Sequence, residues 1–184
     1  EKDAMRVRLV DQAKKAKALR AAEAKKAADE ADRCWRKYVP TGESDYLTRK
    51  GVKAYGLRFS PFGNGTVAVP MLRDGRVVGL QIIRGKDRGN KLEKQYWPAG
   101  MDKVGAYHLI GGIPRGLVLA AEGYATAATL HESTGLPVAV AFDAGSLMHV
   151  VADLAQKYRT SKILICADDD YLTPGNPGCE AARL

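Results

Sequence analysis

Three short apolar runs alternate with two stretches of helical length between Leu117 and Ala167, and few folds accept that order. The runs are Leu117–Ala121, Pro137–Phe142 and Lys162–Ala167, and the intervening stretches, about Tyr124–Ser133 and Ser146–Tyr158, read as helices. Strands separated by helices cannot close as tight hairpins, so they pair in parallel through right-handed crossovers. The second half therefore predicts an α/β fold built on a parallel β-α-β-α-β sheet.

The first half has a different rhythm. Residues 1 to 38 are rich in Ala, Lys, Arg and Glu, with no Gly or Pro before Pro40, which predicts a long basic helix. Its sparse apolar residues hold no heptad, so it reads as a solvated helix laced with i,i+4 ion pairs. A short helix is expected over Ser44–Tyr55. The period then changes to two. Thr66–Leu72 and Val77–Ile83 flank Arg73-Asp74-Gly75-Arg76, a hairpin with an Asp-Gly turn. Lys94–Pro98 and Tyr107–Ile110 predict two further short strands, and Gly111-Gly112-Ile113-Pro114 marks the clearest boundary. The expected organisation is a basic helix over 1–38, a smaller mixed α+β lobe over 39–112, and the parallel α/β domain over 113–184.

Composition narrows the function classes. The 184 residues carry a formal charge of +8, which suits an anionic partner, nucleic acid first, or a basic surface kept for solubility. The cysteines, Cys34, Cys166 and Cys179, form no C-x-x-C pair and have no His at metal-ligand spacing. No zinc module or disulfide framework is indicated, which suits a cytoplasmic location. No apolar stretch approaches the ~18 residues of a membrane span, so no membrane partner is expected. The glycine-bearing stretch Arg84–Lys91 lacks a Walker pattern, and no Gly-x-Ser-x-Gly elbow exists.

The chemistry lies in the acids. Glu122 follows the first strand of the parallel unit, and Asp168-Asp169-Asp170 follows its third. Ligands of open α/β sheets bind at the carboxyl ends of the strands. Asp168 and Asp170, two apart on extended backbone, point the same way, whereas Asp169 points oppositely. Carboxylates gathered there repel one another unless a cation intervenes, and hard oxygen ligands suit Mg²⁺ or Mn²⁺. The alternative is that these acids are helix-cap and loop residues, the reading preferred for Asp169. Haloacid-dehalogenase phosphatases place their Asp-x-Asp after a first strand, and receiver domains open with an acidic pair, so neither order fits. His131-Glu132 reads as a solvated helix pair.

With these acids placed, the second half resembles a TOPRIM domain, the fold shared by bacterial primases, topoisomerases and some nucleases. The string Glu122-Gly123-Tyr124-Ala125-Thr126-Ala127 is similar to the hallmark of the primases of satellite phages and conjugative plasmids. The resemblance runs on through Ala141-Phe142-Asp143-Ala144-Gly145, Ala167-Asp168-Asp169-Asp170 and Asn176-Pro177-Gly178. Upstream, Val69-Pro70-Met71-Leu72-Arg73-Asp74, Gly79-Leu80, Lys94-x-Tyr96, Lys103 and Tyr107-His108-Leu109 follow the order of the amino-terminal lobe of the primase catalytic core. Two departures stand out. Thr126 occupies a position where replicative primases carry aspartate, and Tyr171–Gly175 is an insertion. The resemblance also implies a final TOPRIM strand beyond Leu184, so the domain here is expected to be C-terminally truncated.

The resemblance implies a DNA primase core that makes short primers on single-stranded DNA from nucleoside triphosphates, with a helicase domain or protein as a further expected partner. Metal at Glu122, Asp168 and Asp170 would hold the triphosphate, with Glu122 alternatively serving as base. Arg73, Arg84, Lys86, Arg88, Lys91, Lys94 and Lys103, with Arg76, would line the template and nucleotide path, and Tyr96 or Trp97 would stack a base. The alternatives are a metal-dependent TOPRIM nuclease and a non-catalytic single-strand-binding module.

Overall fold

The computed structural model describes the backbone of residues 2–84 and 93–167, with side chains from Met5 onward. Helix α1 spans Lys2–Lys37. Among its described side chains, the fully buried ones lie in the last turns: Ala27 and Ala31, four apart and hence on one face, lie against the first sheet with Cys34, Trp35 and Tyr38. Small side chains there let the helix axis approach the strands closely. Met5, Val7, Leu9, Val10 and Leu19 are exposed, as expected of a solvated helix.

Helix α2 is one short piece, Asp45–Lys50, not the longer helix expected through Tyr55. Gly51 ends it in the left-handed region at φ 64°, accepted there because glycine lacks a Cβ. The next residues run extended because Lys53 and Tyr55 are tied elsewhere, to Tyr124.

Four antiparallel strands form the first sheet in sequential order: β1 (Arg58–Phe59), β2 (Val67–Arg73), β3 (Arg76–Ile83) and β4 (Lys94–Trp97). The β2–β3 hairpin turns at Asp74 and Gly75, both at positive φ (50° and 73°), the signature of a type I′ turn. Alternation sorts the sheet into two faces. Ala68 and Leu80 face α1, whereas Val67, Val69, Met71 and Ile83 face the second sheet.

The second sheet has the order β5-β7-β6-β8, from β5 (His108–Ile110), β6 (Leu117–Ala121), β7 (Val138–Val140) and β8 (Lys162–Cys166). β6 pairs in parallel with both β7 and β8, and β5 adds an antiparallel edge. The expected boundary after residue 112 falls beyond β5, whose hydrogen bonds go to β7 of this sheet. One residue earlier, Tyr107 exchanges a pair of 3.0 Å backbone hydrogen bonds with Leu72 of β2.

Helices α3 (Tyr124–Thr134) and α4 (Ala144–Lys157) cover opposite faces of this sheet. Tyr124, Ala127 and Ala128 of α3 join Leu119, Ala121, Val138 and Val140 in the core shared with the first sheet. Leu147, Val150 and Leu154 of α4, spaced three and four apart, pack on Ala120 and Ala139. Each fully buried aliphatic side chain contributes roughly 1.5–3 kcal/mol. Across the hairpin tip, Lys157 of α4 reaches Asp74 at 2.9 Å and Asp153 at 2.8 Å.

Candidate nucleotide and metal site at the strand ends

Glu122 is the residue at which β6 gives way to α3, with Gly123 as the helix N-cap. Because β6 lies between β7 and β8, the chain leaves β6 toward one side and returns over it to the other. That reversal opens a crevice above the carboxyl end of β6. Glu122 stands there, with Oε1 buried.

Tyr124 shows why a tyrosine follows. Its hydroxyl accepts the Tyr55 backbone N–H at 2.6 Å and donates to the Lys53 carbonyl at 2.8 Å. Burial drives its phenol well above the ordinary range, so it stays protonated and able to donate. The motif thus supplies an acid at the crevice and, two residues on, an anchor for the loop after α2.

At the end of β7 the backbone turns sharply through Phe142, a non-glycine at φ 74°, into Asp143. Asp143 is the N-cap of α4, its Oδ1 accepting the Ser146 N–H at 2.8 Å. Its Oδ2 accepts a charge-assisted hydrogen bond from Lys103. Burial pushes the Asp143 carboxyl up, but the Lys103 and Ser146 bonds outweigh it and hold the group below the usual carboxylate range. The Lys103 ammonium also lies 4.4 Å from the centroid of the Tyr96 ring, a cation–π contact. The Tyr96 hydroxyl donates to the Phe142 carbonyl at 2.9 Å. Its phenol is pushed up to about 12, first by burial and then by the Asp143 charge.

The other basic candidates divide. Arg73 turns to the segment carrying Lys103: Nη1 bonds Asp102 Oδ2 at 2.9 Å, and Nη2 bonds the carbonyls of Asp102 (3.1 Å) and Val104 (2.5 Å). That bond to Arg73 is the main reason the Asp102 carboxyl is lowered. Lys94, on the same face of β4 as Tyr96, places its ammonium 5.6 Å from the Tyr46 ring centroid. Arg84 is exposed, 3.5 Å from Glu93 Oε2. Lys86, Arg88, Lys91, Asp168 and Asp170 lie outside the described residues. β8, which precedes the two aspartates in sequence, pairs with β6 through Ala121 and Cys166.

Among the described residues no three His, Cys, Asp or Glu side chains gather in a metal-binding group. Asp143 follows β7, the strand beside the one that ends at Glu122, but both its oxygens are engaged by Ser146 and Lys103. Trp97 is turned away from the crevice. Its neighbours are Ala31, Ala68 and Leu80 beneath α1. His131 bonds the Leu136 carbonyl at 2.7 Å and packs edge-on against Tyr55, while Glu132 accepts the Lys53 N–H at 2.9 Å. The pair is structural and not merely solvated. His108 is buried with Nε2 donating to the Tyr55 carbonyl at 2.7 Å, and desolvation lowers its pKa.

The bonding of Asp143 and Arg73 is what reading the sequence did not give. An aspartate after an apolar run and before a helix is a recognisable cap signal, but its partner Lys103 lies 40 residues away. Arg73 was expected on the template and nucleotide path, but its tie to Asp102 and Val104, about 30 residues on, has no local signal.

No protein-family profile matches the sequence. It is 33% identical over 156 residues to a DNA primase TraC of Escherichia coli, an alignment covering 79% of this chain and 14% of that protein. A second Escherichia coli DNA primase TraC is 32% identical over 148 residues, 75% of this chain and 10% of that protein. The chain thus spans about a seventh or less of these relatives. Among solved structures, a DnaG primase catalytic domain bound to single-stranded DNA superposes with a TM-score of 0.50 at 14% identity, over 90% of this chain and 68% of that one. A DnaG catalytic core gives a TM-score of 0.47 at 18% identity, over 79% and 51%. The chain is therefore similar in sequence to DNA primases, and its mixed α/β fold is that of a DnaG-type catalytic domain. Among the described residues no helix is long and apolar enough to cross a membrane.

Proposed function

We propose that this relative of DNA primase TraC is the catalytic core of a primase, joining nucleotides into short primers on single-stranded DNA. The likeness to TraC along 79% of the chain carries the reading. The geometry supports it, because Glu122 and the Lys103 assembly stand at the carboxyl ends of neighbouring parallel strands. In this reading the second sheet with α3 and α4 is a TOPRIM unit, and the first sheet is the basic lobe that holds template and triphosphate.

Roles follow from chemistry. Glu122, with Asp168 and Asp170, supplies the hard oxygen ligands for a divalent cation, Mg²⁺ or Mn²⁺. Such an ion, when bound, neutralises charge developing on the transferred phosphoryl group. Lys103 presents its ammonium to the phosphates beside that carboxylate edge. Lys94 and Arg84, with Lys86, Arg88 and Lys91, offer cations to the template backbone, so binding weakens steeply with salt. Tyr96 holds the Phe142 turn through its hydroxyl and carries Lys103 on its ring.

The test is incorporation of labelled nucleoside triphosphates on single-stranded DNA with Mg²⁺ or Mn²⁺. Glu122→Gln removes the charge and keeps the shape, so primer synthesis should fall by at least about a hundredfold while single-strand binding persists. Unchanged synthesis would remove Glu122 from the mechanism. Metal-dependent DNA cleavage without nucleotides would point to a nuclease, and binding without either activity to a non-catalytic module.

A further inference from the structure

A lysine held at its head and on both flanks is unusual on a surface, where lysine side chains ordinarily keep their rotamer freedom. Lys103 is such a residue. Arg73 fixes the backbone on both sides of it by bonding the carbonyls of Asp102 and Val104. Its ammonium is fixed by the Asp143 carboxylate and the Tyr96 ring, although its side chain keeps 36% of its exposure. The ammonium has three N–H donors, and Asp143 Oδ2 takes one. Donors are left to meet a ligand from the open side.

Asp143 would itself be the natural addition to a metal site, being an acid at the end of the strand beside Glu122. Its bonding argues otherwise. One oxygen caps α4 and the other receives the Lys103 ammonium, so both oxygens are already engaged within the chain. What the carboxylate does is fix where a positive charge stands.

We propose that Asp143 is a positioning residue for nucleotide binding: it acts through Lys103, holding the ammonium at the carboxyl edge of the second sheet for the phosphates of an incoming nucleoside triphosphate. The inference rests on the primase reading for the identity of the ligand and extends it to a residue with no direct contact to substrate. Arg73 completes the arrangement from behind by holding the Asp102–Val104 backbone, and Tyr96 completes it from below. A purely structural tie between the two sheets would need the pair's energy but not its orientation, and this difference can be measured.

The experiment is a double-mutant cycle on the full chain with Asp143→Asn, Lys103→Met and the double variant. Asparagine keeps an Oδ1 acceptor for Ser146, so α4 stays capped and the melting temperature should stay within about 2 °C of the parent. Binding of ATP with Mg²⁺ should weaken about tenfold in Asp143→Asn and at least as much in Lys103→Met. The double variant should be no weaker than Lys103→Met alone. In primer synthesis the Asp143→Asn loss should fall on the KM for nucleotide rather than on kcat.

Equal Asp143→Asn losses in both backgrounds would overturn the proposal, since Asp143 would then act independently of Lys103. Unchanged or tighter ATP binding in Asp143→Asn would also overturn it, as would a parent protein that binds no triphosphate. If the parent binds ATP with the expected coupling but incorporates no nucleotide, the primase reading fails and the assignment of Asp143 stands. If it incorporates nucleotide and shows no coupling, the assignment alone fails.

Discussion

Replacing Tyr124 by Phe removes one oxygen atom from the Glu122–Ala127 motif and leaves the ring in its place. That oxygen serves two backbone groups, accepting from Tyr55 N at 2.6 Å and donating to Lys53 O at 2.8 Å. A net hydrogen bond is worth about 0.5–1.5 kcal/mol, and a buried group left unpaired costs about 1–3 kcal/mol. Lys53 is exposed and Tyr55 half-buried, so water re-solvates part of what is lost. The expected destabilisation is therefore about 1–3 kcal/mol. For a chain of 184 residues this converts to a fall in Tm of roughly 3–10 °C. Urea unfolding should shift its midpoint at constant slope, because the folded surface is unchanged. Hydrogen exchange supplies the local readout: the Tyr55 amide should lose protection more than the amides of α4, on the far side of the sheet. A melting temperature within 1 °C of the parent, with Tyr55 exchange unaltered, would refute the anchor role.

Two further outcomes are expected. His108 is buried and its pKa is lowered, so the unfolded state binds a proton that the folded state refuses. Its contribution is complete above the unfolded pKa of about 6.5 and falls as pH drops below it, by up to about 1.4 kcal/mol per pH unit. Urea midpoints between pH 7 and 5.5 measure the slope, and His108→Gln should flatten it. Gly111→Ala and Gly112→Ala form a matched pair at nearly equal φ, 84° and 85°. A Cβ at 111 would lie 2.6 Å from His131 Cε1 and 3.2 Å from Pro137 Cα, whereas one at 112 meets nothing within 4 Å. The first should cost about 2–4 kcal/mol and the second only the backbone strain of about 1–2 kcal/mol, read from denaturant midpoints.

What could be read from the residues was what the residues decide locally. The β2–β3 hairpin announces itself because Asp74-Gly75 suits a turn that needs positive φ twice. The helices after Glu122 and Asp143 were legible as stretches of helical length between apolar strand runs. Helix α2 came out shorter than expected because the fate of Lys53 and Tyr55 depends on Tyr124, about 70 residues away. The sheet to which His108–Ile110 belongs is a matter of long-range pairing with β7, which no local pattern encodes. The candidate site divides in the same way. Glu122 was legible as an acid at a strand end, but the use of Arg73 on Asp102 and Val104 was not, because a cation's partner is chosen by the tertiary fold.

The strand β5 bears on how this molecule transmits force. Tyr107 is hydrogen-bonded to Leu72 of one sheet, and the very next residue, His108, begins the ladder with β7 of the other. There is no slack between them. Such a junction is a splice and not a hinge: tension on either sheet passes directly through main-chain hydrogen bonds into the other. For the same reason, cleaving the chain at the Gly111-Gly112 break would not release two modules. It would sever β5 from the strands that follow it in sequence while leaving it hydrogen-bonded to one of them.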